Sequence, residues 1–186
     1  FTPDHICDFM SKAVGVNKNS RVLDPCCGSG AFLVRAMTDA MDDCETEDER
    51  DGVKANQIFG IEYEEGAFGL ASTNMLIHGD NLLALKALEQ DYAGKVKCIY
   101  IDPPYNTGHA FEHYDDGVEH SLWLSLMRDR LKLLHNLLAE NGVLMINLDE
   151  VEHAYCKVLC DEIFGRQNFI GDLIWQKRKG GGNDSR

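Results

Sequence analysis

The sequence predicts a doubly wound α/β domain with a mainly parallel sheet. Three observations predict it. Short apolar, β-rich runs alternate with longer segments of helical periodicity. The first such run, Arg21–Asp24, feeds the turn Gly28-Ser29-Gly30 and then a helix. That arrangement brings backbone N–H groups at a helix N-terminus against a ligand. Finally, Asp24, Glu62, Asp80 and Asp102 each follow a different run. Right-handed crossovers put such residues on the carboxyl edge of one sheet, where open α/β sheets bind ligands. Four acids on one rim are hard to explain as packing.

The 186 residues, 44% of them hydrophobic, suffice for a full core. Because it starts at Phe1, the chain is expected to be a piece of a longer protein, with residues 1–186 forming a single domain. No apolar run is long enough to span a membrane, and no secretory leader is visible. Seven cysteines, an odd number with no CxxC pair, point to a reduced, cytoplasmic protein. Cys156 and Cys160 stand a helical turn apart, but no companion ligands accompany them, so packing is expected and no metal site. The net charge is −13, and residues 39–51 hold eight acids against Arg50. After Trp175 the chain turns basic, with Lys177, Arg178, Lys179 and Arg186 against Asp184. Phosphate contact needs Lys and Arg, so the acidic body argues against tight nucleic-acid binding by this chain alone.

In order along the chain, Thr2-Pro3 opens a helix, Thr2 as cap and Pro3 at its first position. Ile6, Phe9, Met10, Ala13 and Val14 form one apolar stripe, and Gly15 ends it. The strand Arg21–Asp24, the turn Pro25–Gly30 and a helix from Ala31 to about Met41 follow. Leu33 stands where a dinucleotide fingerprint needs its third glycine, so NAD is disfavoured. Asp24 at the strand end suits a ligand carrying an ammonium, such as an amino-acid-bearing nucleoside. Gly28 and Gly30 let the backbone approach that ligand. Residues 42–52 read as a solvated acidic loop.

Gln57–Glu62 is the second strand, and Glu62 is placed to take ribose hydroxyls. A helix over Glu65–Met75 and a third strand, Leu76–His78, come next. Asp80 or Asn81 caps the helix Leu82–Glu89, and Asp80 could also accept from an adenine amino group.

Cys98–Ile101 has the continuous apolar character of a strand covered on both faces. Pro103 and Pro104 then stop it, since neither can donate to a ladder. Asp102-Pro103-Pro104-Tyr105 is rigid enough to aim the Asp102 carboxylate and the Pro103 carbonyl at one amino group. Tyr105 can lie flat on the ring that carries it. Asn106–Val118, holding Phe111 and Tyr114, reads as a lid or binding loop. From Glu119, Leu122, Trp123, Leu126, Met127, Leu131, Leu134 and Leu138 mark a helix whose stripe is core, stopped by Asn141-Gly142. Val143–Leu148 is the fifth strand. Asp149 caps a helix with Val151, Ala154, Tyr155, Val158 and Leu159 facing inward, and Phe169–Trp175 is a sixth strand.

These motifs together resemble S-adenosylmethionine-dependent DNA adenine-N6 methyltransferases of restriction–modification systems. Asp24-Pro25-Cys26-Cys27-Gly28-Ser29-Gly30 is similar to their cofactor loop, and Asp102-Pro103-Pro104-Tyr105 to their catalytic motif. The first half resembles type I modification subunits. From His78-Gly79-Asp80-Asn81 onward the chain resembles type III subunits. Those subunits usually place the Pro-Pro-Tyr motif ahead of the glycine loop; the order here resembles the γ arrangement.

The resemblance implies a Rossmann-like methyltransferase fold, here short of its last strand and of a target-recognition region. It implies S-adenosyl-L-methionine as cofactor, held by Thr2, Pro3, Asp24, Cys26, Gly28, Gly30, Glu62, Asp80 and Asn81. Cys26 then lines the cofactor loop rather than acting as a nucleophile. Asp102, Pro103, Pro104 and Tyr105 become the catalytic set, and DNA the substrate, with specificity or restriction subunits as partners. Other planar amines fit the same residues: cytosine N4, guanine N2 in ribosomal RNA, or a protein glutamine. A catalytically silent cofactor-binding module assisting a DNA-recognition partner is the reading from another class.

Overall fold

The computed structural model describes residues 2–62, 75–103 and 120–174. Five strands run in the order β3-β2-β1-β4-β5, every pair parallel. They are β1 (Val22–Asp24), β2 (Ile58–Glu62), β3 (Met75–His78), β4 (Val96–Ile101) and β5 (Leu138–Ile146). Helices α1 (Asp4–Val14), α2 (Ala31–Asp42), α3 (Glu47–Asn56), α4 (Asn81–Tyr92), α5 (His120–Leu137) and α6 (His153–Cys160) complete the α/β architecture. A π-helical turn over Asp161–Gly165 extends α6.

The alternation of side chains along each strand feeds two cores. Leu23, Phe59, Ile61, Ile99 and Ile101 point to one face, where Trp123, Met127, Leu131 and Leu134 of α5 cover them. Val22, Ile58, Cys98 and Tyr100 point to the other, against Phe32, Leu33 and Ala36 of α2 and Met10 of α1. Covering both faces is what allows the unbroken apolar run of β4, since a parallel sheet has no wet side. Leu33, the residue that breaks the dinucleotide fingerprint, is fully buried here.

Several expectations need correction. Pro3, not Thr2, is the N-cap of α1, and Thr2 makes no capping bond. The buried face of that helix is Cys7, Met10 and Ser11, while Phe9 is 49% exposed. An ion pair between Asp8 and Arg35 of α2, 2.9 Å long, helps set this phase. The stretch 42–52 is not all loop. Thr46 Oγ1 accepts from the Glu49 N–H, and Glu49 bonds back to the Thr46 N–H, a reciprocal box that starts α3. Helix α5 ends at Leu137, and β5 follows directly. Val96 pairs with Leu138 and Cys98 with Val143, so residues 139–142 bulge before regular pairing begins at the expected Val143.

Asp149 accepts from the Val151 N–H, yet α6 begins only after Glu152. Cys156 and Leu159 are its buried residues; Val151, Tyr155 and Val158 face out. Glu152 causes the rotation, because its side chain is 1% exposed and paired with His120 at 2.7 Å, which turns that edge of the helix inward. Phe169–Ile174 forms no strand, and Ile170, Leu173 and Ile174 are 85, 72 and 94% exposed. No neighbouring strand among the described residues offers it a ladder. The expected helix over Glu65–Met75 lies outside the described residues except for Met75, which opens β3. The loop with Phe111 and Tyr114 and the basic tail also lie outside them.

Candidate functional site

The strand order reverses between β1 and β4, with β2 and β3 on one side and β5 on the other. Doubly wound sheets open a crevice at that point, and a cavity of about 260 Å³ lies there. Asp24 closes β1, Glu62 closes β2, Asp102 follows β4, and Asp80 follows β3 two residues on. Parallel pairing sets all four on one rim, as the sequence predicted.

The glycine turn is built by backbone chemistry. Gly28 and Gly30 hold φ of 52° and 77°, left-handed values that a side chain disfavours. Cys27 N–H donates to the Ile61 carbonyl at 3.0 Å, and Gly28 N–H donates to Glu62 Oε2 at 2.7 Å. Glu62, 6% exposed, thus braces the turn from behind. In the geometry seen here its carboxylate is engaged with the loop; it does not line the cavity.

Asp24 does line the cavity and is only 2% exposed. Burial pushes its carboxyl up to about 8, against the lowering effect of its bond from the Cys26 N–H at 3.1 Å, and the nearby acids Asp102 and Glu62 add to the rise. A cation brought into the cavity would meet an acid poised to ionise. Cys26 lines the wall as well. Burial and the proximity of Asp24 push its thiol up to about 12, so it stays a neutral wall group rather than a nucleophile.

Thr2 reaches the same cavity, and its Oγ1 lies 3.1 Å from the Tyr100 hydroxyl. The Tyr100 ring packs on Phe32, with centroids 5.0 Å apart. Asp102 lines the same cavity. Its Oδ1 accepts from Asn147 Nδ2 at 3.1 Å, and Asn147 N–H donates to the Ile101 carbonyl at 2.9 Å. Pro103 follows, buried. Pro104 and Tyr105 lie outside the described residues.

The cavity therefore gathers Thr2, Asp24, Cys26, Gly28 and Asp102. Besides Glu62 and Pro103, four other expected residues stand apart from its lining. Pro3 is an exposed cap. Gly30 starts α2. Asp80 is half-exposed and accepts from the Leu82 and Leu83 N–H groups at the head of α4. Asn81 touches the loop from outside, its Nδ2 3.4 Å from Cys26 Sγ. Sequence reasoning missed Asn147 and Arg130, whose Nε donates to Asn81 Oδ1 at 2.7 Å. Asn147 carried a signal, a polar residue at the end of the fifth strand. Arg130 carried none, being one cation on the flank of an apolar stripe.

Comparison with known proteins places this geometry in context. Residues 1–121 match the family described as N-6 DNA Methylase. Residues 96–186 match one described as DNA methylase. The chain is 39% identical over 135 residues to the type III restriction-modification enzyme EcoP15I Mod subunit of Escherichia coli, covering 56% of this chain and 21% of that protein. The chain thus spans about a fifth of that relative's length. Among solved structures it resembles a type I restriction-modification system methyltransferase subunit from Streptococcus thermophilus, with a TM-score of 0.55 at 18% identity, over 87% of this chain and 38% of that one. An S-adenosylmethionine-dependent methyltransferase from Agrobacterium tumefaciens gives a TM-score of 0.55 at 16% identity, over 88% and 51%. At these identities the likeness concerns the fold.

Proposed function

The chain belongs to the N-6 DNA methylase family, and from that premise we propose that it is the catalytic domain of a modification methyltransferase. The reaction is transfer of the methyl group of S-adenosyl-L-methionine to the exocyclic N6 of an adenine in DNA. The observation that carries this reading is one cavity lined by the glycine turn, Asp24 and Asp102 together.

The residues present fit the cofactor. The turn offers close backbone approach at the head of α2. Asp24 is a buried carboxyl suited to the ammonium of the amino-acid part, and Thr2 with Tyr100 closes that end. Glu62 is the group for ribose hydroxyls, exchanging its bond to the Gly28 N–H. Cys26, with Asn81 behind it, forms a neutral wall. When bound, the cofactor supplies a methyl group activated by its sulfonium.

The protein's own part is positioning and electrostatics. A target base must leave the duplex stack, at a cost of a few kcal/mol. Tyr105 stacks on the flipped ring, an interaction worth roughly 1–3 kcal/mol. Asp102 and the Pro103 carbonyl accept hydrogen bonds from the two N6 hydrogens, which draws the nitrogen lone pair out of the ring and towards the methyl group; the one N6 proton lost on methylation passes to solvent. Asn147 holds the Asp102 carboxylate from the β5 side. No cysteine attack is required, in keeping with the high thiol values along this wall.

DNA contact then falls mainly to regions outside this chain, which suits its net charge of −13. Specificity or restriction subunits are the expected partners, in the cytoplasm. No helix among the described residues is long and apolar enough to cross a membrane.

The test is transfer of labelled methyl from S-adenosylmethionine to duplex DNA by the full-length protein, with nucleoside analysis of the product. N6-methyladenine is expected, and Asp102→Ala should abolish it while cofactor binding persists. Appreciable methylation by that variant would falsify the assignment of Asp102. A product methylated on cytosine N4 would move the activity to the neighbouring amine class.

A further inference from the structure

Arg130 sits on α5, a helix whose sequence reads as core packing. Its guanidinium is committed in three directions. Nε donates to Asn81 Oδ1 at 2.7 Å, Nη1 donates to the Leu126 carbonyl at 3.0 Å, and Nη2 stands 3.8 Å from Asp80 Oδ2. Arginine has no acceptor, so Asn81 must present its amide oxygen to it. That fixes the other end of the amide. Nδ2 faces the glycine loop, 3.4 Å from Cys26 Sγ and 3.5 Å from the Pro25 carbonyl. The Arg130 side chain is 22% exposed, so solvent screens this contact less than an open surface pair.

The loop is thus held from two sides. Ile61 and Glu62 of β2 take its Cys27 and Gly28 N–H groups. Asn81, oriented by Arg130, meets Pro25 and Cys26 from the α4 side. We propose that Arg130 is a positioning residue for cofactor binding, acting through Asn81 on Pro25 and Cys26. It ties the helix that follows the Asp102 segment in the chain to the cofactor end of the cavity. This rests on the reading of that cavity as the S-adenosylmethionine site.

The experiment is a double-mutant cycle in the full-length protein, read by calorimetric titration with S-adenosylmethionine. Arg130→Ala is expected to raise Kd about tenfold, with Asn81→Ala similar. The double variant should be no weaker than either single one, because both remove the same constraint. Arg130→Lys should behave like Arg130→Ala, since an ammonium keeps the charge but cannot reproduce the guanidinium fork. For Arg130→Ala and Arg130→Lys, binding stoichiometry and kcat at saturating cofactor should stay near wild type, which a loss of folded protein would not allow. Arg130→Gln, which keeps most of the stem, serves if the alanine variant proves unstable. A Kd within twofold of wild type for Arg130→Ala or Arg130→Gln overturns the proposal. So do singles that multiply in the double variant, and so does full retention by Arg130→Lys. Failure of the wild type itself to bind would instead defeat the reading of the cavity.

Discussion

Asp24 shows how one buried carboxyl can couple binding to protons. Its ordinary range lies near 3.8, and burial lifts it to about 8 in the folded chain. The folded state therefore keeps a proton that the unfolded chain releases above its ordinary range. Stability referable to Asp24 is greatest at low pH and declines as pH rises towards 8, the reverse of a salt-bridged acid. A ligand ammonium favours the carboxylate, so at pH 7 binding must expel the proton. Titration with S-adenosylmethionine in buffers of different ionisation enthalpy should reveal that release, and affinity should climb between pH 6 and 8. Asp24→Asn should bind more weakly and release nothing. An Asp24→Asn variant with unchanged proton release would place the titrating group elsewhere. The acid itself was legible in the sequence as a strand-end residue; its protonation was not, because it depends on burial by residues far along the chain.

At the level of elements, the informative departure is α3. Its acids hid it, yet Thr46 and Glu49 carry the capping-box spacing, and Glu47, Asp48 and Glu49 lie in the first turn, where the helix dipole favours negative charge. Lys18, bonded to Glu49 at 2.7 Å, and the Glu45 and Thr46 N–H groups hold the Glu49 carboxyl down to about 2. A depressed acid contributes stability above its ordinary range and loses it as pH falls towards 2. Thr46→Ala is expected to cost about 1 kcal/mol in a urea melt at neutral pH. No change in the transition midpoint would mean that the box is redundant with packing of Val53. The phases of α1 and α6 escaped for a related reason. Asp8 with Arg35 and Glu152 with His120 are long-range pairs, and each turns a helix away from the stripe its own sequence suggests.

Taken as one molecule, the fold was readable because both faces of a parallel sheet are buried. Each strand then appears as an apolar run, and the acids that follow fall on one rim without any side-chain detail. The meeting of Asp24 and Asp102 at one cavity was readable for the same reason. The braces between them were not. Arg130, Asn147 and the bond from Gly28 N–H to Glu62 are meetings of residues that the sequence keeps far apart. That seam also bears on motif order. β1 and β4 are neighbours, Val22 beside Cys98 and Leu23 beside Ile99, so either strand and the turn after it could come first along a chain and still meet the other.

The same pairing has a kinetic meaning. Helices α1 and α2 need only nearby residues, whereas β1 must wait for β4, which joins it across most of the first hundred residues. Long-range parallel pairing is the slow kind of closure. The cavity lacks Tyr100 and Asp102 until that closure happens. On dilution from denaturant, the far-ultraviolet helical signal should return before the capacity to bind S-adenosylmethionine. The interval between the two would time the joining of the sheet's centre. Simultaneous recovery would mean instead that the central pairing forms with the helices in a single step.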